Sequence, residues 1–179
     1  PRPGARTIAP EVVIPVREEM AVPEAGPKIR VTSIVVTGNR KVGTGDIRAV
    51  VQPYEGKELS LGELKAVAGK ITDLYRSRGY VTSYAYLPKQ EIKNGVIEIV
   101  VLENRLGAVE VKGNRFYTSA FIAKNMMGVT KEGILNSRTL ERSLLNLNEY
   151  PDLRVRATLY AGQEPGTSDV MLEAEDALP

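Results

Sequence analysis

From Ile29 the side chains alternate: Ile29, Val31, Ser33 and Val35 share one side, and Arg30, Thr32, Ile34 and Val36 the other. A period of two is that of a β-strand. It stops at Gly38-Asn39, two residues that tolerate positive φ and so read as a strand-ending turn. Thr44 then stands as the cap of a short helix with Ile47, Val50 and Val51 on one side, closed by Pro53, which denies the next helical hydrogen bond. A longer helix opens at Ser60-Leu61-Gly62-Glu63, the spacing of a capping box. Leu64, Val67, Ala68, Ile71, Leu74 and Tyr75 follow as one apolar stripe, Lys65, Lys70, Asp73 and Arg76 lie off it, and Gly79 is placed to end the helix in the left-handed conformation. Val81, Ser83, Ala85 and Leu87 alternate with Thr82, Tyr84 and Tyr86 as a second strand that ends at Pro88. After the turn pair Asn94-Gly95, the apolar run from Val96 to Glu103 makes a third. The predicted order is strand, helix, helix, strand, strand.

The chain then writes this order again. Val36-Thr37-Gly38-Asn39-Arg40 returns as Val111-Lys112-Gly113-Asn114-Arg115. Thr118 precedes a short helix carrying Phe121, Ile122 and Met126, Asn136 stands where Ser60 stood, and Leu140, Leu144 and Leu147 repeat the stripe of Leu64, Ala68 and Ile71. Pro151 shortens this second long helix. Leu153, Val155, Ala157 and Leu159 alternate with Arg154, Arg156, Thr158 and Tyr160, and after the turn at 162–169 Val170, Leu172 and Ala174 match Ile97, Ile99 and Val101. The fold class is therefore α+β: two tandem β-α-α-β-β modules of roughly 75 residues, each a three-stranded mixed sheet with two helices on one face. Residues 29–104 form the first module and 105–179 the second. Residues 1–28, with Pro1, Pro3, Pro10, Pro15, Pro23 and Pro27, read as an extended linker. The joint Glu103-Asn104-Arg105 is very short, which implies a defined angle between modules.

Composition narrows the chemistry. The 179 residues hold no Cys and no His, which removes disulfides, the usual zinc ligand sets, thiol nucleophiles and His-based acid/base catalysis. With 24 Lys and Arg against 22 Asp and Glu, the net charge of +2 is too even to point to nucleic acid as the partner. No apolar run approaches the roughly 18 residues of a membrane span, and the start lacks the regions of a secretory signal. Gly43-Thr44-Gly45 near Lys41 lacks the Walker spacing and reads as a helix cap, so no nucleotide site is expected. Glu173, Glu175 and Asp176 on the last strand read as a solvated face before a metal site, and Met126-Met127 as filling of the second core. No cofactor is implied, and no paired constellation supports an enzyme.

The segment order, the stretch from Tyr75 to Glu103 with Arg78-Gly79-Tyr80 before the second strand, and the stretch from Leu147 to Asp176 with Gly166-Thr167-Ser168-Asp169-Val170 before the last strand resemble the two POTRA domains of TpsB transporters. These are the outer-membrane pores of two-partner secretion, related to barrel-assembly proteins of the BamA type. The resemblance covers about 150 residues, nearly everything after the linker. In that family a signal peptide, a plug helix and a Pro-rich linker precede the POTRA pair, and a membrane β-barrel follows it. The chain is therefore expected to be a periplasmic part of a longer outer-membrane protein, with its own C-terminal barrel as one partner.

The resemblance implies that the middle strand of each module is a sheet edge, with a groove beside the longer helix that receives an extended client, the secretion domain of an unfolded exoprotein. An edge strand offers unpaired N–H and C=O groups on which such a client can add a strand. The candidate partner-binding residues are Val81, Thr82, Ser83, Tyr84 and Tyr86 in the first module and Arg154, Arg156, Thr158 and Tyr160 in the second. The tyrosines offer large amphipathic surfaces, and the arginines favour acidic or polar clients. The plainer reading is that the tyrosines cover the solvent face of the sheet and the arginines keep the edge soluble. The alternative function is the POTRA region of a BamA-like assembly factor.

Overall fold

The computed structural model of the chain describes residues 12–13, 26–126, 128 and 133–178. Most of the linker 1–28 lies outside these residues, as does Met127. The chain divides into two compact units, Val16–Asn104 and Arg105–Pro179, the second together with Pro1–Pro15.

The first unit runs β2 (Ile29–Arg30), β3 (Ser33–Thr37), α1 (Thr44–Val51), a 3-10 turn (Gln52–Tyr54), β4 (Glu58–Leu59), α2 (Leu61–Ser77), β5 (Tyr84–Tyr86) and β6 (Val96–Leu102). Its sheet has the order β3-β6-β5, with β3 parallel and β5 antiparallel to β6. The α2 stripe of Leu64, Val67, Ala68, Ile71 and Tyr75 packs on Ile34, Ala85, Ile97, Ile99 and Val101 from the sheet. The capping box forms in full: Glu63 N–H donates to Ser60 Oγ, and Ser60 N–H donates to the Glu63 carboxylate. The Ser60 backbone N–H, then its hydroxyl, hold the Glu63 carboxyl below its ordinary pKa.

Three expectations are corrected here. The strand expected from Ile29 to Val36 is two strands: β2 pairs antiparallel with β4, and only from Ser33 does the chain join β6. Between them Val31 N–H donates to Lys57 O at 2.8 Å and Thr32 N–H to Gly95 O at 2.8 Å. The change of partner shifts the phase of the side chains, so Val31 and Ile34 are both buried and Val35 is exposed. The cap of α1 is Gly43, and Thr44 is the first helical residue. The expected strand 81–87 shrinks to β5, Tyr84–Tyr86, with Val81 and Thr82 in the preceding turn.

The second unit contains β7 (Arg105–Lys112), α3 (Ser119–Lys124), α4 (Ser137–Asn148), β8 (Leu153–Ala161) and β9 (Thr167–Asp176). Thr118 caps α3 by accepting from Phe121 N–H, and Asn136 caps α4 by accepting from Arg138 N–H. Ile122, Met126, Leu140, Leu144 and Leu147 are buried with Leu153, Val155, Ala157 and Leu159 of β8 and Val170, Leu172 and Ala174 of β9. β7 is parallel and β8 antiparallel to β9. This sheet has a fourth strand, for its order is β1-β8-β9-β7, where β1 is Val12–Val13. Those two residues of the expected linker are thus a strand, parallel to β8, with Val12 opposite Ala157 and Val13 opposite Thr158.

The repeated Gly-Asn-Arg has the same structural work in both units. Gly38 and Gly113 have φ of 85° and 86°, and a Cβ on either would collide with the carbonyl oxygen of Val101 or Ala174 on the last strand. Only glycine combines that φ with so close an approach. The next residue ties the loop down: Asn39 Nδ2 donates to Val42 O at 3.1 Å, and Asn114 Nδ2 to Tyr117 O at 2.7 Å. A carboxylate just past the last strand or at its end then gathers the loop amides. Glu103 accepts from Arg40 and Lys41, and Asp176 from Arg115, Phe116 and Tyr117. Desolvation pushes the Asp176 carboxyl up, but the amides of Tyr117, Arg115 and Phe116 outweigh it and hold the group below its ordinary pKa. Asp176, read from sequence as part of a solvated face, is a tether for this turn.

Candidate functional site

The middle strand of each β-α-α-β-β unit lies beside the long helix, and its outer backbone groups decide what can be added there. In the first unit Ala85 N–H donates to Thr72 Oγ1 of α2 at 2.9 Å, and the hydroxyl donates to Ala68 O at 3.2 Å. Ala85 therefore directs its backbone away from β6, and by the period of two Tyr84 and Tyr86 direct theirs toward it. Beyond Tyr86 the strand cannot continue, because Pro88 has no donor for the ladder. Gln90 takes its place: its side-chain amide accepts from Glu98 N–H and donates to Glu98 O, both at 2.8 Å. The first edge is short and its central groups are engaged.

The second unit repeats the arrangement with different chemistry. Val155 N–H donates to Asn148 Oδ1 at 2.7 Å, and Asn148 Nδ2 donates to Val155 O at 3.2 Å. Asn148 lies twelve residues after the cap Asn136, as Thr72 lies twelve after Ser60. Val155 therefore faces outward, and so do Ala157, Leu159 and Ala161 by alternation. Here the strand is nine residues long and continues well past the helix side chain. Its outer edge at Ala157 and Thr158 holds β1.

The candidate residues sort into two separate groups. In the first unit Val81 and Thr82 precede β5 and are half-buried, and Thr82 Oγ1 has no hydrogen-bond partner among the described residues. Ser83 is buried; its N–H donates to Tyr80 O and its hydroxyl accepts from Asn104 N–H, so it serves the turn and is withdrawn from any client. Tyr84 and Tyr86 stand together on the helix-free face, ring centroids 6.0 Å apart, Tyr86 the more exposed. In the second unit Arg154, Arg156, Thr158 and Tyr160 share the helix-free face of β8, opposite Glu175, Glu173, Met171 and Asp169 of β9. The Arg154 guanidinium donates to Leu153 O at 2.8 Å and to Tyr150 O at 3.2 Å.

Sequence reasoning missed Thr72 and Asn148. The available signal was a polar residue at the same repeat position on the buried side of each long helix, where an unpaired polar group would be costly. It missed β1 because two valines between prolines carry no period. Among the described residues no group of three or more His, Cys, Asp or Glu is placed to hold a metal ion, and no helix is long and apolar enough to cross a membrane.

Comparison with known proteins bears on this geometry. The family described as "POTRA domain, ShlB-type" matches residues 29–104. The heme/hemopexin transporter protein HuxB of Haemophilus influenzae is 30% identical over 146 residues, covering 80% of this chain and 26% of HuxB. The outer membrane transporter CdiB of Escherichia coli is 32% identical over 166 residues, covering 93% of this chain and 28% of CdiB. The solved structure of CdiB from Escherichia coli superposes with a TM-score of 0.73 at 30% identity, over 92% of this chain and 30% of that one. The chain thus spans between a quarter and a third of these relatives. Residues 29–104 are a ShlB-type POTRA domain, and the chain is homologous to part of the transporters HuxB and CdiB.

Proposed function

We propose that this chain is the client-recognition region of a two-partner secretion transporter at the periplasmic face of a bacterial outer membrane. It captures the secretion domain of an unfolded exoprotein as an added strand and delivers it to the transporter's β-barrel pore. The observation that carries this reading is the outer edge of β8, where an extended segment is already seated on the backbone at Ala157 and Thr158. An edge that pairs with one extended segment through its main chain can pair with another, because ladder bonds are indifferent to side-chain identity. The likeness to HuxB and CdiB, both named as transporters, supports the same role and gives no support to an enzyme. The second unit is the stronger candidate for first contact, since β5 has three residues and β8 nine.

The test uses the absence of native cysteine. Tyr160→Cys and Tyr86→Cys, both at exposed positions, each take a single environment-sensitive dye. The probe is the secretion domain of the exoprotein encoded beside the gene, kept unfolded in mild denaturant. A dissociation constant on the order of micromolar, with an emission change at position 160, is the expected result. A change at position 86 alone would move the site to the first unit. No binding to either labelled protein would reject client capture.

A further inference from the structure

We infer that Tyr54, Lys57 and Lys70 of the first unit form an oxyanion clip, and that its partner is an acidic stretch of an extended polypeptide, bound through a carboxylate. The clip lies in the α1–α2 helix layer and does not rest on strand addition at β8.

Two lysines converge on one ring. Lys57 Nζ stands over Tyr54 at 5.8 Å from the ring centroid and Lys70 Nζ at 5.4 Å. An aromatic face attracts a cation, but two ammonium groups gathered on the same ring repel each other. A carboxylate would relieve this, and every nearby one is engaged elsewhere. Asp46 pairs with Arg78 at 2.7 Å, and Glu55 pairs with Arg48 at 2.9 Å while accepting from Ile34 N–H. The Glu63 carboxylate caps α2, Asp73 lies beside Arg76, and Glu58 stands opposite Arg30 in the β2–β4 pair. Those are all the carboxylates from Gly43 to Gly79. Among the described residues neither lysine makes an ion pair, and the Tyr54 hydroxyl makes no hydrogen bond. Three donors around one ring are left without an acceptor.

The surroundings hold this arrangement in place. Tyr54 is half-buried against the core in the 3-10 turn that Pro53 opens, and Val31 brackets the loop, donating to Lys57 O at 2.8 Å and accepting from Gly56 N–H at 2.7 Å. Both lysines remain exposed. Nor does the fold require them to be basic: counted from the caps Ser60 and Asn136, the place of Lys70 is taken by Asn146 in α4, and that of its neighbour Lys65 by Glu141. The chemistry favours a carboxylate over a phosphate. The backbone N–H groups of a helix start, the usual cradle for phosphate, are closed at α2, where Glu63 N–H donates to Ser60 Oγ and the Glu63 carboxylate lies over the cap. A carboxylate needs no cradle, for its two oxygens can accept from two ammonium groups and a hydroxyl. The clip is open to solvent, so the group can enter on a side chain of a polypeptide passing across the helix layer.

The test titrates the whole chain with a short glycine-serine peptide that carries adjacent glutamates, and with the same peptide carrying glutamines. Nuclear magnetic resonance follows the side-chain amine signals of Lys57 and Lys70 and the ring signals of Tyr54. The glutamate peptide is expected to bind at low salt with a dissociation constant on the order of millimolar, and the glutamine peptide to leave these signals in place. Lys57→Gln and Lys70→Gln are each expected to weaken binding about fivefold or more. Lys89→Gln, which removes the same charge from an exposed position outside the helix layer, is expected to leave binding within about twofold. Without peptide, Lys70→Gln is expected to leave the melting temperature unchanged or to raise it, since it removes a repulsion.

Should the two peptides bind alike, or Lys89→Gln weaken binding as much as the clip variants do, no carboxylate is bound at this ring and the clip is rejected. A lysine variant that lowers the melting temperature and leaves peptide binding untouched would make the pair a mere cover for the ring. Inorganic phosphate and phosphatidylglycerol vesicles are the remaining arms. If either moves the Tyr54 and lysine signals while the glutamate peptide does not, the site serves a small anion or a lipid surface, and the polypeptide assignment is overturned.

Discussion

The two glycines of the repeated turn show how much one backbone atom can decide. Each combines a φ near that of the left-handed region with a carbonyl oxygen in the space a Cβ needs, so alanine brings both strain and a collision with the last strand. Gly38→Ala and Gly113→Ala are each expected to destabilise their own unit by about 2–3 kcal/mol, read as a lower urea midpoint with unchanged slope. The carboxylate beside Gly113 makes a second, pH-dependent prediction. The Asp176 carboxyl is held below its ordinary pKa in the folded chain by the amides of Tyr117, Arg115 and Phe116 acting against desolvation. A carboxyl depressed in the folded state adds stability above its unfolded pKa, about 3.9, and that contribution is lost as pH falls through the lower folded value. Asp176→Asn sets an amide N–H₂ or a single oxygen against three loop N–H donors, so it lowers the melting temperature at neutral pH. The gap between variant and wild type closes as the buffer is taken into the acid range, because protonation removes from the wild type what the substitution removed. A gap that persists unchanged at the lowest pH where both remain folded would show that the amides do not tether this carboxylate.

At the scale of elements, the lesson lies in how each edge strand is finished. Thr72 and Asn148 occupy the same place in the repeat and bind the outward backbone of Ala85 and Val155. Thr72→Val keeps the shape and deletes the acceptor, leaving the buried Ala85 N–H unpaired. It is expected to cost about 1–3 kcal/mol and to speed hydrogen exchange at Ala85. Asn148→Leu does the same at Val155, where faster exchange of that amide with little change at its ladder neighbours Arg154 and Arg156 is the signature of a purely outer bond. Much of this architecture was legible in the sequence, and the reasons are physical. Capping residues, the two apolar stripes and the glycine turns are local signals, and the repeat doubled each of them. What escaped depends on partners far along the chain. The break at Val31 and Thr32 exists because Lys57 O accepts from the N–H of Val31 and Gly95 O from that of Thr32. The early end of β5 reflects Pro88, and the filling of its place by Gln90 could not be read from alternation. Of the candidate residues, alternation placed Tyr84 with Tyr86 on one face of β5, and Arg154, Arg156, Thr158 and Tyr160 on one face of β8, but the backbone at Tyr84 faces β6, so the outer edge of the first sheet belongs to Ala85.

For the molecule as a whole, the two sheets present helix-free faces of opposite character, and this decides which force should govern client binding. In the first unit that face carries Val35, Tyr84, Tyr86, Val96, Val100 and Leu102, with Ser33, Thr37 and Glu98 as its polar members, and so is apolar and aromatic for the most part. In the second, Arg154 faces Glu175 and Arg156 faces Glu173, while Lys112 lies on the other side of Glu173. Basic and acidic side chains interspersed on one sheet face leave little net field to offer an incoming chain. If capture proceeds by main-chain pairing on β8, affinity for the secretion domain should change less than about twofold between low salt and roughly 0.5 M salt, where exposed charges beyond a few ångströms are screened. Arg154→Gln with Arg156→Gln should then leave affinity within the same range. Titration of binding against salt separates the alternatives. A steep fall with salt that the double glutamine variant removes would make the arginines the recognition element, as acidic or polar clients would require, and would reduce the strand edge to a support for them. A flat response that the glutamines do not alter assigns recognition to the backbone of the edge, where selectivity must come from which clients can stay extended long enough to pair with it.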